Sequence, residues 1–200
     1  MSEFSIVFYR VYGKRFFDII FAFCGLIVCA LPIAVCLSSP GSLYFGQLRV
    51  GRKGKMFVLY KFRSMCTSAP EKSNQDSSEN AMNHCVTRLG RITRKTSIDE
   101  LPQLINVLRG EMSFIGPRLL ARTDDRVLDL RRQNVSNLIR PGISGLAQVN
   151  GRNEISDDMK AKWDAEYAGT VSMSVDLKIL VRTFFEITSQ RGINRFTKRK

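Results

Sequence analysis

The chain is organised around residues 96–104, whose sequence is TSIDELPQL, and their continuation INVLRG to residue 110. Apolar residues recur from Leu101 to Leu108 with the spacing i, i+3, i+4, i+7, which predicts a helix that packs one face on a core. Gly110 predicts the end of that helix. The adjacent acids Asp99 and Glu100 are therefore expected at the start of a rigid helix, beside the positive end of its dipole.

A purely local interpretation of the same acids stays open. Ser97 and Glu100 have the spacing of a capping box, in which each side chain bonds a backbone N–H of the first turn. Acids are common in the first turn of helices, and Asp99 then needs no further role. This stretch alone does not separate a capping role from a chemical one.

The composition is strongly basic. The 200 residues contain 31 Lys and Arg against 18 Asp and Glu, which gives a net charge of +13. Such a surface suits nucleic acid, anionic lipid or phosphorylated small molecules. The five cysteines form no CxxC pair and His84 is the single histidine, which argues against a zinc site and favours reduced cysteines.

Residues 19–37 form an apolar run without formal charge, about as long as a bilayer is thick. Its length and the lack of a cleavage pattern argue against a signal peptide, and few soluble core helices are apolar on every face. Pro32 breaks the run, and basic residues lie on both sides of it, so we expect a re-entrant helix with both ends in the cytoplasm. An ordinary kinked spanning helix is the open alternative. Asp18 is expected at the headgroup layer or paired with Lys14.

The rest of the chain predicts an α+β fold. Residues 43–49 and 56–63 predict two strands of a hairpin around the turn at residues 51–54. Ser156 is the expected N-cap of a helix that reaches Tyr167. Residues 176–191 predict an amphipathic helix, either interfacial or packed on the core. We therefore expect a membrane segment (residues 1–40), a folded domain on the cytoplasmic face (residues 41–188) and a basic tail (residues 189–200).

Eight short motifs carry a resemblance that runs from Lys14 to about Leu180. They are KRFFD (14–18), SPG (39–41), VGR (50–52), YKFRSM (60–65), RKTSIDELPQ (94–103), MSFIGPR (112–118), the glycine-rich loop PGISGLAQVNGRN (141–153) and DLK (176–178). On these motifs the chain resembles the bacterial sugar transferase family, the monotopic phosphoglycosyl transferases with a single catalytic domain. It departs from the family pattern at Leu119, where a second proline is usual, and at Glu166, where an aromatic residue is common.

The resemblance implies an activity. Such an enzyme transfers a sugar-1-phosphate from a UDP-sugar to polyprenol (undecaprenyl) phosphate, releases UMP, and uses Mg²⁺ and a phosphosugar–aspartyl intermediate. The implied location is the cytoplasmic face of the bacterial inner membrane, at the first membrane step of glycan assembly, with downstream glycosyltransferases as further partners. Minimal members of the family often take N-acetylated amino sugars.

The same resemblance implies roles for single residues. By position, Asp99 is the nucleophile and a Mg²⁺ ligand, and Glu100 is its acid–base or orienting partner. Arg118 is expected to bind phosphate. Nucleotide or phosphate contacts are also expected, with a structural role open for each, at Lys61, Arg94, Gln148 and Arg152.

Two other classes of protein fit part of the sequence. A basic membrane-associated scaffold without chemistry explains the charge and the apolar run, but leaves the block from Asp99 to Arg118 without a role. A nucleic-acid binder explains the charge, yet the chain carries no recognition motif, and an apolar run of bilayer length argues against it. We therefore expect no nucleic-acid partner.

Overall fold

The structure, a computed structural model, describes residues 7–28, 44–62, 93, 98–151 and 155–188. It confirms the α+β class. In chain order its helices and strands are a π-helical turn (Tyr9–Gly13), α1 (Lys14–Val28), β1 (Tyr44–Val50), a 3-10 turn (Arg52–Gly54), β2 (Met56–Phe62), a 3-10 turn (Ile98–Glu100), α2 (Gln103–Arg109), β3 (Ser113–Ile115), α3 (Asp125–Arg132), a 3-10 turn (Val135–Leu138), β4 (Gly142–Ser144), α4 (Leu146–Val149), α5 (Asp157–Thr170) and α6 (Met173–Thr188).

The predicted hairpin is confirmed. Strands β1 and β2 pair antiparallel, with Leu48 opposite Val58. Its turn uses the left-handed region at Lys53 (φ 57°) and Gly54 (φ 73°), which explains a glycine at the second position. Phe57 and Leu59 on β2 are buried, so the inner face of the hairpin packs on the core.

The predicted helix with the TSIDELPQL stretch at its start is also confirmed, with a shifted boundary. Helix α2 begins at Gln103, and Gly110 ends it in the left-handed conformation (φ 80°). Leu104 faces inward as the periodicity predicted, and Val107, which the predicted repeat did not include, is also buried. They belong to one buried cluster with Ala22, Phe57, Leu59 and Met112.

Helix α1 packs along α2 in the opposite direction. Arg15, near its beginning, donates to the Leu108 carbonyl oxygen at 2.8 Å, while Gly25, near its end, lies against the Leu104 side chain. The Arg140 Nε donates to the Gly110 carbonyl oxygen at 2.7 Å. Two cations thus satisfy carbonyls at the negative end of α2, which fixes the helix that follows Asp99.

A buried carboxylate attaches the N-terminal segment to the last two helices. Asp176 accepts hydrogen bonds from Lys14 Nζ (2.6 Å), Tyr9 Oη (2.7 Å) and Tyr167 Oη (2.6 Å). Arg10 adds a bond from its Nε to the Val171 carbonyl oxygen at 3.2 Å. The helices α1, α5 and α6 therefore meet at one polar centre.

The prediction that Asp18 pairs with Lys14 is wrong. Asp18 is buried, and its Oδ1 accepts from the Ser113 hydroxyl and the Phe114 N–H, both at 3.0 Å. Lys14 turns to Asp176 instead. The i to i+4 spacing allowed the local pair, but β3 supplies two neutral donors to Asp18 once α1 docks.

A second, parallel strand pair lies under α6. Strands β3 and β4 are three residues each and pair Ser113 with Gly142 and Ile115 with Ser144. Residues 142–144 were predicted to lie in a glycine-rich loop, and this strand pair was not predicted. Because the strands are so short, neither carries an alternating pattern long enough to be recognised.

A broad apolar surface stays exposed on α1 and α6. Its side chains, each more than one-third exposed, are Phe16, Ile20, Phe23 and Ile27 of α1 and Leu177, Val181, Phe184 and Phe185 of α6. None of the helices in the described part of the chain has both the length and the hydropathy needed to cross a bilayer. Pro32, on which the re-entrant prediction depends, lies outside the described residues.

Candidate functional site

The two acids lie side by side in the 3-10 turn Ile98–Glu100, directly before α2. Both are half-buried. Glu100 Oε1 pairs with Lys61 Nζ at 3.1 Å, so the end of the hairpin brings a cation to the acids. The structure therefore brings together three of the predicted site residues, Lys61, Asp99 and Glu100. Ser97 lies outside the described residues, and the capping-box interpretation stays untested.

Asn106 links α2 to strand β2, and it was not among the predicted site residues. Its side chain is fully buried and donates to the Val58 carbonyl oxygen at 2.8 Å, while its Oδ1 accepts from the Tyr60 N–H at 3.2 Å. It also donates to Glu111 Oε2 at 2.6 Å. A polar residue among the apolar positions of α2 was the available signal, because a buried amide needs partners on another element.

The second part of the site is a close crossing of two loops. Gly116 N donates to the Ser144 carbonyl oxygen and Gly142 N to the Pro117 carbonyl oxygen, both at 2.9 Å. A Cβ on Gly142 would lie 2.1 Å from Gly116 N, and one on Gly145 would lie 1.9 Å from the Gly116 carbonyl oxygen. Here the backbones approach too closely for any side chain, so the MSFIGPR motif and the glycine-rich loop fold as one unit.

Arg118 follows this crossing, and a buried ion pair fixes its backbone. Its N–H donates to Asp164 Oδ1 at 3.1 Å, and Asp164 Oδ2 accepts from Arg131 Nε at 2.9 Å. The side chains of Asp164 and Arg131 are 1% and 8% exposed. Burial raises the pKa of Asp164, and the Arg131 charge and the donated hydrogen bonds oppose that rise. The departure at Leu119 therefore leaves Arg118 with a defined backbone position.

Gln148 lies in the short helix α4, next to the same crossing. Its Oε1 is buried and has no hydrogen-bond donor among the described residues. The atom lies 2.8 Å from the point where a Cβ on Gly145 would stand. A buried acceptor without a donor is costly, and a ligand N–H or O–H would satisfy it.

The remaining predictions for the site fall on residues that are not described or on ligands. Arg94 and Arg152 lie outside the described residues. The described part of the chain contains no group of three or more His, Cys, Asp or Glu side chains placed to hold a metal ion. Mg²⁺ keeps several waters and binds proteins through one or two carboxylates, and the oxygen donors of Asp99 and Glu100 are of the type that it prefers.

Comparison with known proteins decides the family. Residues 9–190 match the family model described as bacterial sugar transferase. The chain belongs to the bacterial sugar transferase family. This match covers both parts of the site, the acids before α2 and the loop crossing with Arg118.

Three relatives show how widely this domain is used. The chain is 41% identical over 185 residues to the uncharacterized sugar transferase EpsL of Bacillus subtilis, covering 90% of this chain and 89% of the relative. It is 37% identical to the galactosyl transferase CpsE of Streptococcus agalactiae, covering 90% of this chain and 44% of the relative. It is 38% identical to the UDP-N-acetylgalactosamine-undecaprenyl-phosphate N-acetylgalactosaminephosphotransferase of Aeromonas hydrophila, with 90% of this chain and 44% of the relative covered. The chain thus spans nearly all of one relative and less than half of the other two.

Proposed function

We propose that this chain transfers a sugar-1-phosphate from a UDP-sugar to polyprenol phosphate and releases UMP. The observation that carries the proposal is the pair of adjacent carboxylates, Asp99 and Glu100, held beside Lys61 in a member of the sugar transferase family. The Aeromonas hydrophila relative is named after a UDP-sugar and undecaprenyl phosphate, and this name supports both substrates.

In this proposal Asp99 is the nucleophile. One carboxylate oxygen attacks the phosphorus that carries the sugar, and the bond from that phosphorus to the bridging oxygen breaks. UMP leaves with the bonding electron pair, and the sugar phosphate stays on Asp99 as an acyl phosphate. A phosphate oxygen of the polyprenol phosphate then attacks the same phosphorus and returns the carboxylate of Asp99.

Cations are needed because a carboxylate and a diphosphate repel each other. Lys61 pairs with Glu100 and is proposed to supply one such charge, and Arg118, whose backbone N–H is held by Asp164, is proposed to supply a second. Such charges stabilise the transition state by several kcal/mol in order of magnitude. Mg²⁺, when bound by Asp99 and Glu100, would supply further neutralisation of the diphosphate.

The apolar surface on α1 and α6 supports a place at the cytoplasmic face of the bacterial inner membrane. The Asp176 centre joins the two helices, so their exposed apolar side chains belong to one rigid unit. Exposed apolar side chains of this kind suit the boundary between headgroups and acyl chains. With the break at Pro32, we propose a monotopic, re-entrant attachment that sets Asp99 at the depth of the acceptor phosphate.

The test is UMP release from a UDP-sugar with undecaprenyl phosphate and Mg²⁺. Asp99→Asn should abolish release, since an amide is not a nucleophile toward phosphorus, and Glu100→Gln should leave at most a trace. Asp129→Asn, at an exposed acid of α3, is the matched control and should keep wild-type activity. Full turnover by Asp99→Asn would refute the assignment, and UMP release that does not change when Mg²⁺ is removed would refute the metal.

The sugar is proposed to be an N-acetylated amino sugar. One relative is named as a galactosyl transferase and another as an N-acetylgalactosaminephosphotransferase, so the family match leaves the sugar open. A panel of UDP-sugars, scored by UMP formed with undecaprenyl phosphate, identifies it. Exclusive use of a sugar without an acetamido group would overturn this part of the proposal.

A further inference from the structure

Asn106 takes the place that a residue of a third strand would take beside β2. Its side-chain amide accepts from the Tyr60 N–H at 3.2 Å and donates to the Val58 carbonyl oxygen at 2.8 Å, the two backbone groups on either side of Leu59. A neighbouring strand would close the edge of a sheet through the same pair of groups. Because Lys61 directly follows Tyr60, these two bonds fix the backbone from which the Lys61 side chain starts.

The orientation of this amide is determined by Glu111. The second N–H of the Asn106 amide donates to Glu111 Oε2 at 2.6 Å. A carboxylate only accepts hydrogen bonds, so the amide nitrogen faces Glu111 and Val58, and the amide oxygen faces Tyr60. Asn106 is 0% exposed, so bulk water does not compete for these bonds.

Hydrogen-bonded turns connect the acids to the helix that carries Asn106. Three backbone N–H groups each bond the carbonyl oxygen three residues back, at 3.0–3.1 Å: those of Leu101, Leu104 and Ile105. The 3-10 turn that holds Glu100 therefore continues into α2, and Glu100 Oε1 meets Lys61 Nζ at 3.1 Å. One partner of this ion pair is thus carried by the segment that leads into α2, and the other by the strand that Asn106 attaches to α2.

We infer that Asn106 is the positioning residue for Lys61: its amide fixes β2 against α2 and thereby sets the Lys61 ammonium beside Glu100. Since Asn106 is buried, it acts through Lys61 and not on a substrate. The effect on catalysis rests on the proposed function, in which the Lys61 charge reduces the repulsion between Asp99 and the diphosphate. The placement of Lys61 does not depend on that function, so the two are tested separately.

Cross-linking with a carbodiimide measures the placement of Lys61 without any turnover. The reagent joins an amine directly to a carboxylate, so it reports ion pairs in contact, and mass spectrometry of the digested full chain gives the yield of the Lys61–Glu100 amide. Asn106→Ala should lower that yield about 5-fold, on the scale of one lost hydrogen bond. The pair of Lys160 and Asp157 in α5, 2.8 Å apart, is the internal control and should cross-link equally in every variant.

The kinetic test is a double-mutant cycle with Lys61→Met, which keeps the length of the side chain and removes its charge. Asn106→Ala should lower kcat/KM for UMP release about 10-fold in the wild type and have no further effect in Lys61→Met. Asn134→Ala is the matched control, since it also removes two hydrogen bonds of a side-chain amide, in the cap of the 3-10 turn Val135–Leu138. It should leave the cross-link unchanged and change kcat/KM by the same factor in both backgrounds.

The outcomes separate this inference from the proposed function. A cross-link that Asn106→Ala weakens, in a chain that releases no UMP, would support the placement and refute the reaction. An unchanged cross-link yield, or independent effects of Asn106→Ala and Lys61→Met on kcat/KM, would overturn the inference. If Asn106→Ala does not fold, Asn106→Asp combined with Glu111→Gln replaces it, because this exchange keeps the bond between the two positions and removes only the donor to Val58. A wild-type yield in that folded variant would also overturn the inference.

Discussion

Two buried aspartates, Asp164 and Asp176, form similar ion pairs but stabilise different parts of the molecule. Asp164 in α5 accepts from Arg131 and from the backbone N–H of Arg118. Asp176 in α6 accepts from Lys14 and from the hydroxyls of two tyrosines. Each carboxylate is buried and paired with one cation, as burial of a charge requires. One fixes a residue of the candidate site, and the other attaches the segment that carries the apolar surface.

The two aspartates differ in the parts of the fold to which their partners belong. Asp164 of α5 pairs with Arg131 of α3 and accepts the backbone N–H of Arg118. Its loss should therefore change the position of Arg118. The partners of Asp176 come from the N-terminal segment and α5, so its loss acts on how α1 docks. We therefore expect that substitution of Asp164 mainly weakens binding of the UDP-sugar, and that substitution of Asp176 mainly lowers the free energy of unfolding.

The largest effect is expected for Asp176→Ala. It leaves Lys14 without its buried partner and two tyrosine hydroxyls without an acceptor, which should lower the free energy of unfolding by about 3–5 kcal/mol. Thermal or denaturant unfolding of the detergent-solubilised protein measures this loss. The control Asp158→Ala removes an exposed pair with Arg126 and should stay within about 1 kcal/mol of the wild type. Equal losses in the two variants would show that the Asp176 centre does not hold α1.

A smaller effect on stability is expected for Asp164→Asn, with a distinct kinetic signature. The amide keeps an acceptor for the Arg118 N–H but removes the charge opposite Arg131, at a cost of about 1–3 kcal/mol. Without the charge opposite Arg131, the side chain at position 164 should shift together with the Arg118 N–H that it holds. We therefore expect KM for the UDP-sugar to rise by about 10-fold with little change in kcat, as for lost donor binding. Asp158→Asn, on the same helix, is the control. Lost stability with an unchanged KM would reduce Asp164 to a structural role.

These two aspartates also show how far the sequence could be interpreted. The alternating hairpin, the periodicity of α2 and the Ser156 cap were predictable, because local spacing determines each of them; Ser156 Oγ accepts from the Met159 N–H at 3.3 Å. The partners of Asp176 were not, because Lys14 lies 162 residues away in sequence. The wrong pairing of Asp18 with Lys14 has the same origin. A spacing rule identifies the residues that can meet, and only the packed helices decide which ones do.

The candidate site likewise contains features that local sequence spacing could predict and features that it could not. The position of Asp99 and Glu100 before α2 was predictable from the apolar repeat, whereas their chemical roles came from the family resemblance and stay predictions. The pairing of Glu100 with Lys61 joins two predictable elements. Asn106 was missed because a single polar residue in a helix gives no sign of its partner. The approach of Gly116 to Gly142 was missed because it depends on a parallel pair of three-residue strands.

The smallest effect is expected for Tyr167→Phe at high pH. Burial and the adjacent Asp176 carboxylate raise the pKa of Tyr167 well above its ordinary value, so the folded chain keeps this proton where an unfolded tyrosine loses it. Stability should therefore fall as pH rises above about 10, by about 1.4 kcal/mol per pH unit for each such group. Tyr167→Phe should make that fall less steep, and Tyr12→Phe, at an exposed tyrosine, should not. Parallel pH profiles for Tyr167→Phe and the wild type would contradict a protonated Tyr167.

The most direct test of the account is whether the chain carries the sugar phosphate on Asp99. The enzyme is incubated with a UDP-sugar radiolabelled in the phosphate next to the sugar, without polyprenol phosphate, then denatured and digested. The account predicts label on the peptide that contains Asp99, its release when polyprenol phosphate is added before denaturation, and none in Asp99→Asn. An active enzyme that never retains label, or that retains it on another residue, would contradict the account.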